Sequence, residues 1–132
     1  MATTYTTNTR QVGHWGTTIW KATFDGANDE TAKIVVDLSG LASGNTTGLR
    51  VRKVQIVSTT GIAVNVEFDA TANQQIATAP EGYAGPVDFC FYNAPDGAQV
   101  KTAAGSTGDI VVTTLGAALG DIVYIYIEWR AF

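Results

Sequence analysis

The last stretch of the chain, Asp121 to Phe132, reads DIVYIYIEWRAF and constrains everything before it. Val123, Ile125, Ile127, Trp129 and Ala131 fall on one face of an extended strand, and Ile122, Tyr124, Tyr126, Glu128 and Arg130 on the other. Successive side chains of a strand point to opposite faces, so one side is wholly apolar and the other grades from aromatic to charged. β-Branched and aromatic residues also suit a pleated, half-buried surface. The stretch predicts a long central strand around which the earlier strands pack.

Those earlier strands are short and separated by turn chemistry. WGTTIWKATF predicts a strand at about 15–24, with Trp20, Ala22 and Phe24 on one face and Trp15, Thr17, Ile19 and Lys21 on the other. After the turn DGANDE, TAKIVVDL places Ala32, Ile34, Val36 and Leu38 inward. In LRVRKVQIVS the apolar positions change from odd (Leu49, Val51) to even (Val54, Ile56), and a bulge near Arg52-Lys53 restores register. IAVNVEFDA alternates cleanly with Ile62, Val64, Val66 and Phe68 inward, and is the strongest hairpin partner for the strand before it. A short edge strand near 75–78, the segment PVDFCFYN, a weak strand near 99–102 and DIVVTTL complete the series. No stretch of a dozen residues has helical periodicity. The pattern predicts an all-β chain: an antiparallel β-sandwich, jelly-roll-like, with seven to nine short strands.

The 132 residues fit one domain, expected over 13–132. Residues 1–12 are polar and Thr-rich, and predict a flexible N-terminal arm, either frayed or ordered against a neighbouring subunit. They contain no apolar h-region, so no secretory leader is expected, and no run of about 18 apolar residues predicts a membrane span.

Chemistry is sparse. His14 is the only histidine and Cys90 the only cysteine, which leaves no triad and no zinc or iron ligand set, and the chain is not expected to be an enzyme or to hold a cofactor. Cys90 lies on a strand, where a buried thiol is expected. Glu67, Asp69 and Glu81 carry ordinary outward patterning rather than a glycosidase pair. Asp25, Asp29 and Glu30 are candidates for an oxygen-ligated cation, although turn chemistry explains the same residues. Charged residues make up only 15% of the chain, against about 25% in typical soluble domains. A neutral surface of this kind is often covered by a partner.

The net charge of −4 argues against a general phosphate-binding surface, and no nucleic-acid or membrane partner is expected. The one basic cluster is RVRK, where Arg50 and Arg52 project as a solvated face, an anchor for a carboxylate-bearing partner or an intersubunit ion pair. Trp20 and Trp129 fall on apolar faces. Trp15, Tyr124 and Tyr126 fall on the others, where core and interface roles are both open.

The Thr-rich arm ATTYTTNTRQVG, the neutral Thr/Gly/Ala-rich strands, the lack of cysteine pairs and the terminal YIYIEWRAF together resemble the small β-sandwich decoration, or cement, proteins of tailed bacteriophage capsids. That resemblance implies a virion protein on the outer capsid surface, made in the host cytoplasm. It also implies a homo-oligomer, often a trimer, bound where subunits of the major capsid protein meet, with a terminal arm (residues 2–12) reaching a neighbour. The candidate capsid or subunit contacts are Tyr5, Arg10, Trp15, Arg50, Arg52, Tyr124 and Tyr126. A carbohydrate-binding module using Trp15 and the tyrosines, or a phage tail or fibre component, is the alternative.

Overall fold

A computed structural model describes residues 3–41, 48–82, 86–91, 99–100, 105 and 107–132. The strands are β1 (Thr4–Val12), β2 (Trp15–Thr23), β3 (Lys33–Val36), β4 (Leu49–Ser58), β5 (Ala63–Phe68), β6 (Gln74–Ala79), β7 (Val87–Cys90), β8 (Gln99–Val100), β9 (Ile110–Leu115) and β10 (Ile122–Ala131). Nine span four residues or more, and β8 spans two. The sequon Asn45-Thr46-Thr47 lies outside the described residues.

Two antiparallel sheets face each other. One runs β1-β2-β10-β4-β7, with β8 also on β4, and the other runs β3-β9-β5-β6. β2 pairs with β10, β3 with β9, β4 with β7 and β5 with β6. The first half of the chain thus pairs in reverse order with the second, which is one long hairpin wrapped into a jelly roll. β10 lies between β2 and β4 as its pattern predicts, and Val123, Ile125, Ile127 and Trp129 are fully buried. They share one core with Ile62 and with Val64, Val66 and Phe68 of the opposite sheet, which are equally buried.

The bulge in β4 is present. Glu128 pairs with Lys53 but Trp129 pairs with Val51, so Arg52 is the extra residue, and Leu49 and Val51 reach the core beside Val54 and Ile56.

Other expectations are corrected. Residues 4–12 are not a flexible arm but the edge strand β1, in continuous register with β2 from Thr4–Thr23 to Val12–Trp15. An edge strand needs no apolar face of its own, and threonine favours extended backbone. The two-residue turn Gly13-His14, with Gly13 at φ +62°, folds β1 back on β2. Only Tyr5 of β1 packs on the core. β4 and β5 are not a hairpin, because the chain crosses at Thr59–Ile62 from one sheet to the other. Two strands with one buried face each read alike whether they pair edge to edge or face each other.

In β3 the pairing shifts between Ile34 and Val36, so Val35 and Val36 are both buried and Ile34 is half exposed. Cys90 is exposed, not buried, because β7 puts it on the outer side of its sheet opposite Lys53. Among the described residues no helix is long and apolar enough to cross a membrane.

Candidate binding surface

The outer face of the larger sheet follows from register. Across β1, β2, β10 and β4, one row carries Val12, Trp15, Arg130 and Arg50. The next carries Arg10, Thr17, Glu128 and Lys53, with Cys90 beyond on β7. Asn8, Ile19, Tyr126, Gln55 and Asp88 follow, and then Thr6, Lys21, Tyr124 and Val57. Inner-facing neighbours such as Trp20, Ile56 and Ile125 are buried, so these alternate residues point away from the core.

Six of the chain's eight lysines and arginines are gathered here: Arg10, Lys21, Arg50, Arg52, Lys53 and Arg130. Only Asp88 and Glu128 supply carboxylates on these rows, on a chain whose net charge is −4. The fold therefore divides the charge, with one cationic face on an acidic protein. Five of the six cations stand toward the end of the face that holds the β1–β2 turn, while Lys21 stands beside Tyr124 at the other end, which is otherwise aromatic and apolar with Val57 and Ile122.

Trp15 is the centre of the cationic end. It is half exposed, with the Arg52 guanidinium 4.9 Å and the Arg130 guanidinium 5.2 Å from its ring centroid. Arg50 lies 4.9 Å over the Phe132 ring. Stacking on a ring holds a guanidinium in place by its face. The bulge is what places Arg52 here, since the extra residue on β4 projects outward next to Lys53. A groove of about 650 Å³ at the β1–β2 turn is lined by Thr9, Arg10, Gln11, Val12, Trp15, Gly16, Thr17, Glu128 and Trp129.

Tyr126 hydrogen-bonds Glu128, and its phenol is held above its ordinary pKa by burial first, then by the Glu128 charge and hydrogen bond, then by Tyr124.

Six of the seven candidate residues share this face: Arg10, Trp15, Arg50, Arg52, Tyr124 and Tyr126. Tyr5 does not. It sits opposite Ala22 on the inner side of β1, with its ring 5.9 Å from that of Trp20, its hydroxyl donating to Glu30 and the Lys33 ammonium 4.2 Å above it. Tyr5 closes the open side of the sandwich. Lys21, Lys53 and Arg130 are the cations of this face that were not among the candidate contacts. The alternation of β10 put Arg130 on the Tyr124 side, but nothing local shows that β4 lies next to β10.

The carboxylates of DGANDE serve as turn ligands. Asp29 accepts from Thr114 Oγ1 (3.1 Å), Gly116 N (3.1 Å) and Ala117 N (2.8 Å), while Asp25 accepts from Thr3 Oγ1 (3.0 Å). Among the described residues no three histidine, cysteine, aspartate or glutamate side chains converge as a metal-binding group. No protein-family model, curated protein or solved structure matches the chain.

Proposed function

We propose that this chain is a non-enzymatic structural protein of a bacteriophage virion, which decorates the capsid as a homo-oligomer and bridges subunits of the major capsid protein. The observation that supports this reading is the outer face of the larger sheet, cationic around Trp15 and apolar around Val57 and Ile122. Interfaces are built around aromatic and arginine anchors. The cations select carboxylates on the partner, and the apolar end supplies buried area. A phosphate backbone running along the strands would meet five cations toward one end and Lys21 alone at the other, which favours a protein partner over nucleic acid. The jelly roll is compatible with this role but does not specify it, since the fold carries both capsid and lectin functions.

Trp15, half exposed beside the groove, is the observation that favours a second reading, a carbohydrate-binding module. Arg52 and Arg130 over its ring compete with a stacked sugar.

The test is the composition of virions from the phage encoding this chain, with the gene intact or interrupted. The proposal requires the protein on heads, in fixed ratio to coat protein, and heads that rupture at lower temperature or chelator concentration without it. In added-back binding, Arg52→Ala with Arg130→Ala should weaken attachment at least tenfold. Protein found only on tails, or only in glycan-bound fractions off the particle, overturns it.

A further inference from the structure

The four edges of the two sheets are not alike. β3 and β7 span four residues each, and the pairing of β3 shifts between Ile34 and Val36. β6 is met by a shift between Val66 and Glu67 and is followed by Pro80. Short strands, bulges and proline are the usual means of keeping an edge from pairing with another chain. β1 has none of them. It runs nine residues in unbroken register with β2, carries no proline or lysine and has one charge, Arg10. It ends its sheet, with no strand beyond it among the described residues.

We infer that a second copy of this chain pairs with that edge, β1 against β1, antiparallel about a two-fold axis at Asn8. The ladder parity decides which residues bond across this axis. Val12 and Trp15 close a two-residue turn, so they exchange both backbone bonds, as do Arg10–Thr17, Asn8–Ile19 and Thr6–Lys21 in alternation. The opposite parity on β2 agrees: the His14 carbonyl accepts from Ala131, and Phe24 donates to Asp121, both on the β10 side. The N–H and C=O of Tyr5, Thr7 and Thr9 therefore point to the free edge.

An axis at Asn8 brings Thr7 opposite Thr9 of the second copy as a hydrogen-bonded pair, and Asn8 opposite its own copy as a non-bonded pair. Arg10 then faces Thr6, so the one charge of the strand never meets itself. An isologous contact must be self-complementary in this way. The two cationic faces become coplanar rather than stacked, which avoids the repulsion that face-to-face pairing would incur and doubles the surface offered to a partner. The product is a two-fold pair, not the trimer implied by the resemblance. The inference stands on the β1 edge alone, wherever the protein works.

Light scattering on the purified chain tests it. The expected mass is two chains, and Thr7→Pro with Thr9→Pro should reduce it to one. Both prolines delete donors on the free side and leave the β2 ladder intact, so the circular dichroism should persist. Should that variant fail to fold, Asn8→Cys in a Cys90→Ser background decides. At a non-bonded pair the two Cα atoms lie about 4.5 Å apart, within disulfide reach, so oxidation should give a covalent dimer. Thr6→Cys, opposite Arg10, should not. A wild-type monomer, a trimer, or a dimer that survives the prolines without cross-linking at Asn8→Cys overturns the proposal.

Discussion

The indole N–H of Trp129 donates to Thr18 Oγ1 across 3.1 Å, and Thr18 is fully buried. The ring of Trp129 lies so close over Gly16 that a Cβ there would overlap it. β10 is thus anchored to β2 by a hydrogen bond, and one glycine makes room for the ring. Thr18→Val keeps the shape and leaves a buried donor unpaired, which should cost about 1–3 kcal/mol. Thr18→Ser should recover most of it. Gly16→Ala should destabilise by at least about 1–3 kcal/mol through overpacking. Denaturant midpoints at equal slope check all three.

Deleting Arg52 should leave the fold standing. Without it Leu49, Val51, Val54 and Ile56 alternate cleanly inward, and the bulge has nothing to accommodate. Deleting Asn65 from β5 should abolish cooperative unfolding, because it sends the buried residues on one side of the deletion to the wrong face. Near-ultraviolet circular dichroism and thermal melts distinguish the two. The Arg52 deletion should also change Trp15 fluorescence, since a guanidinium leaves its ring.

Tyr5 predicts an alkaline limit to stability. Its phenol is pushed up to about 12 by burial first, then by the hydrogen bond to Glu30 and by the charges of Glu30 and Asp25. A group whose folded pKa lies above its unfolded value of about 10 contributes fully below pH 10, and loses that contribution as pH rises through 12. The melting temperature should fall over pH 10–12. Tyr5→Phe should be less stable at pH 8 and show a shallower alkaline fall, measured by melts across that range.

Asp29→Ala removes the acceptor for two backbone N–H groups and the Thr114 hydroxyl, and should cost about 1–3 kcal/mol while loosening the β9–β10 turn. Because these bonds engage its carboxylate, millimolar calcium should leave the melting temperature of the wild-type chain unmoved. A calcium-dependent rise would reassign the loop as a cation site.

Alternation within single strands was readable from the chain, because the period of two is local. It assigned the buried faces of β2, β5 and β10, located the bulge near Arg52-Lys53, and put Trp15, Tyr124 and Tyr126 on the faces opposite the apolar ones, leaving core and interface roles open for them. It did not reach β3, where a bulge buries consecutive Val35 and Val36 and turns Ile34 out. Nor did it find β1, whose ladder is made by backbone groups common to every sequence and whose side chains are mostly solvated.

The sequence by itself determined an antiparallel β-sandwich and which side of β2, β4, β5 and β10 faces the core, since side-chain polarity records burial residue by residue. Only the tertiary structure decided which strands are neighbours. Pairing is made by the backbone and carries no residue code, so the sequence could not show that Arg52 and Arg130 come from β4 and β10 to stand over Trp15 on β2. The cationic face exists only because those three strands lie side by side.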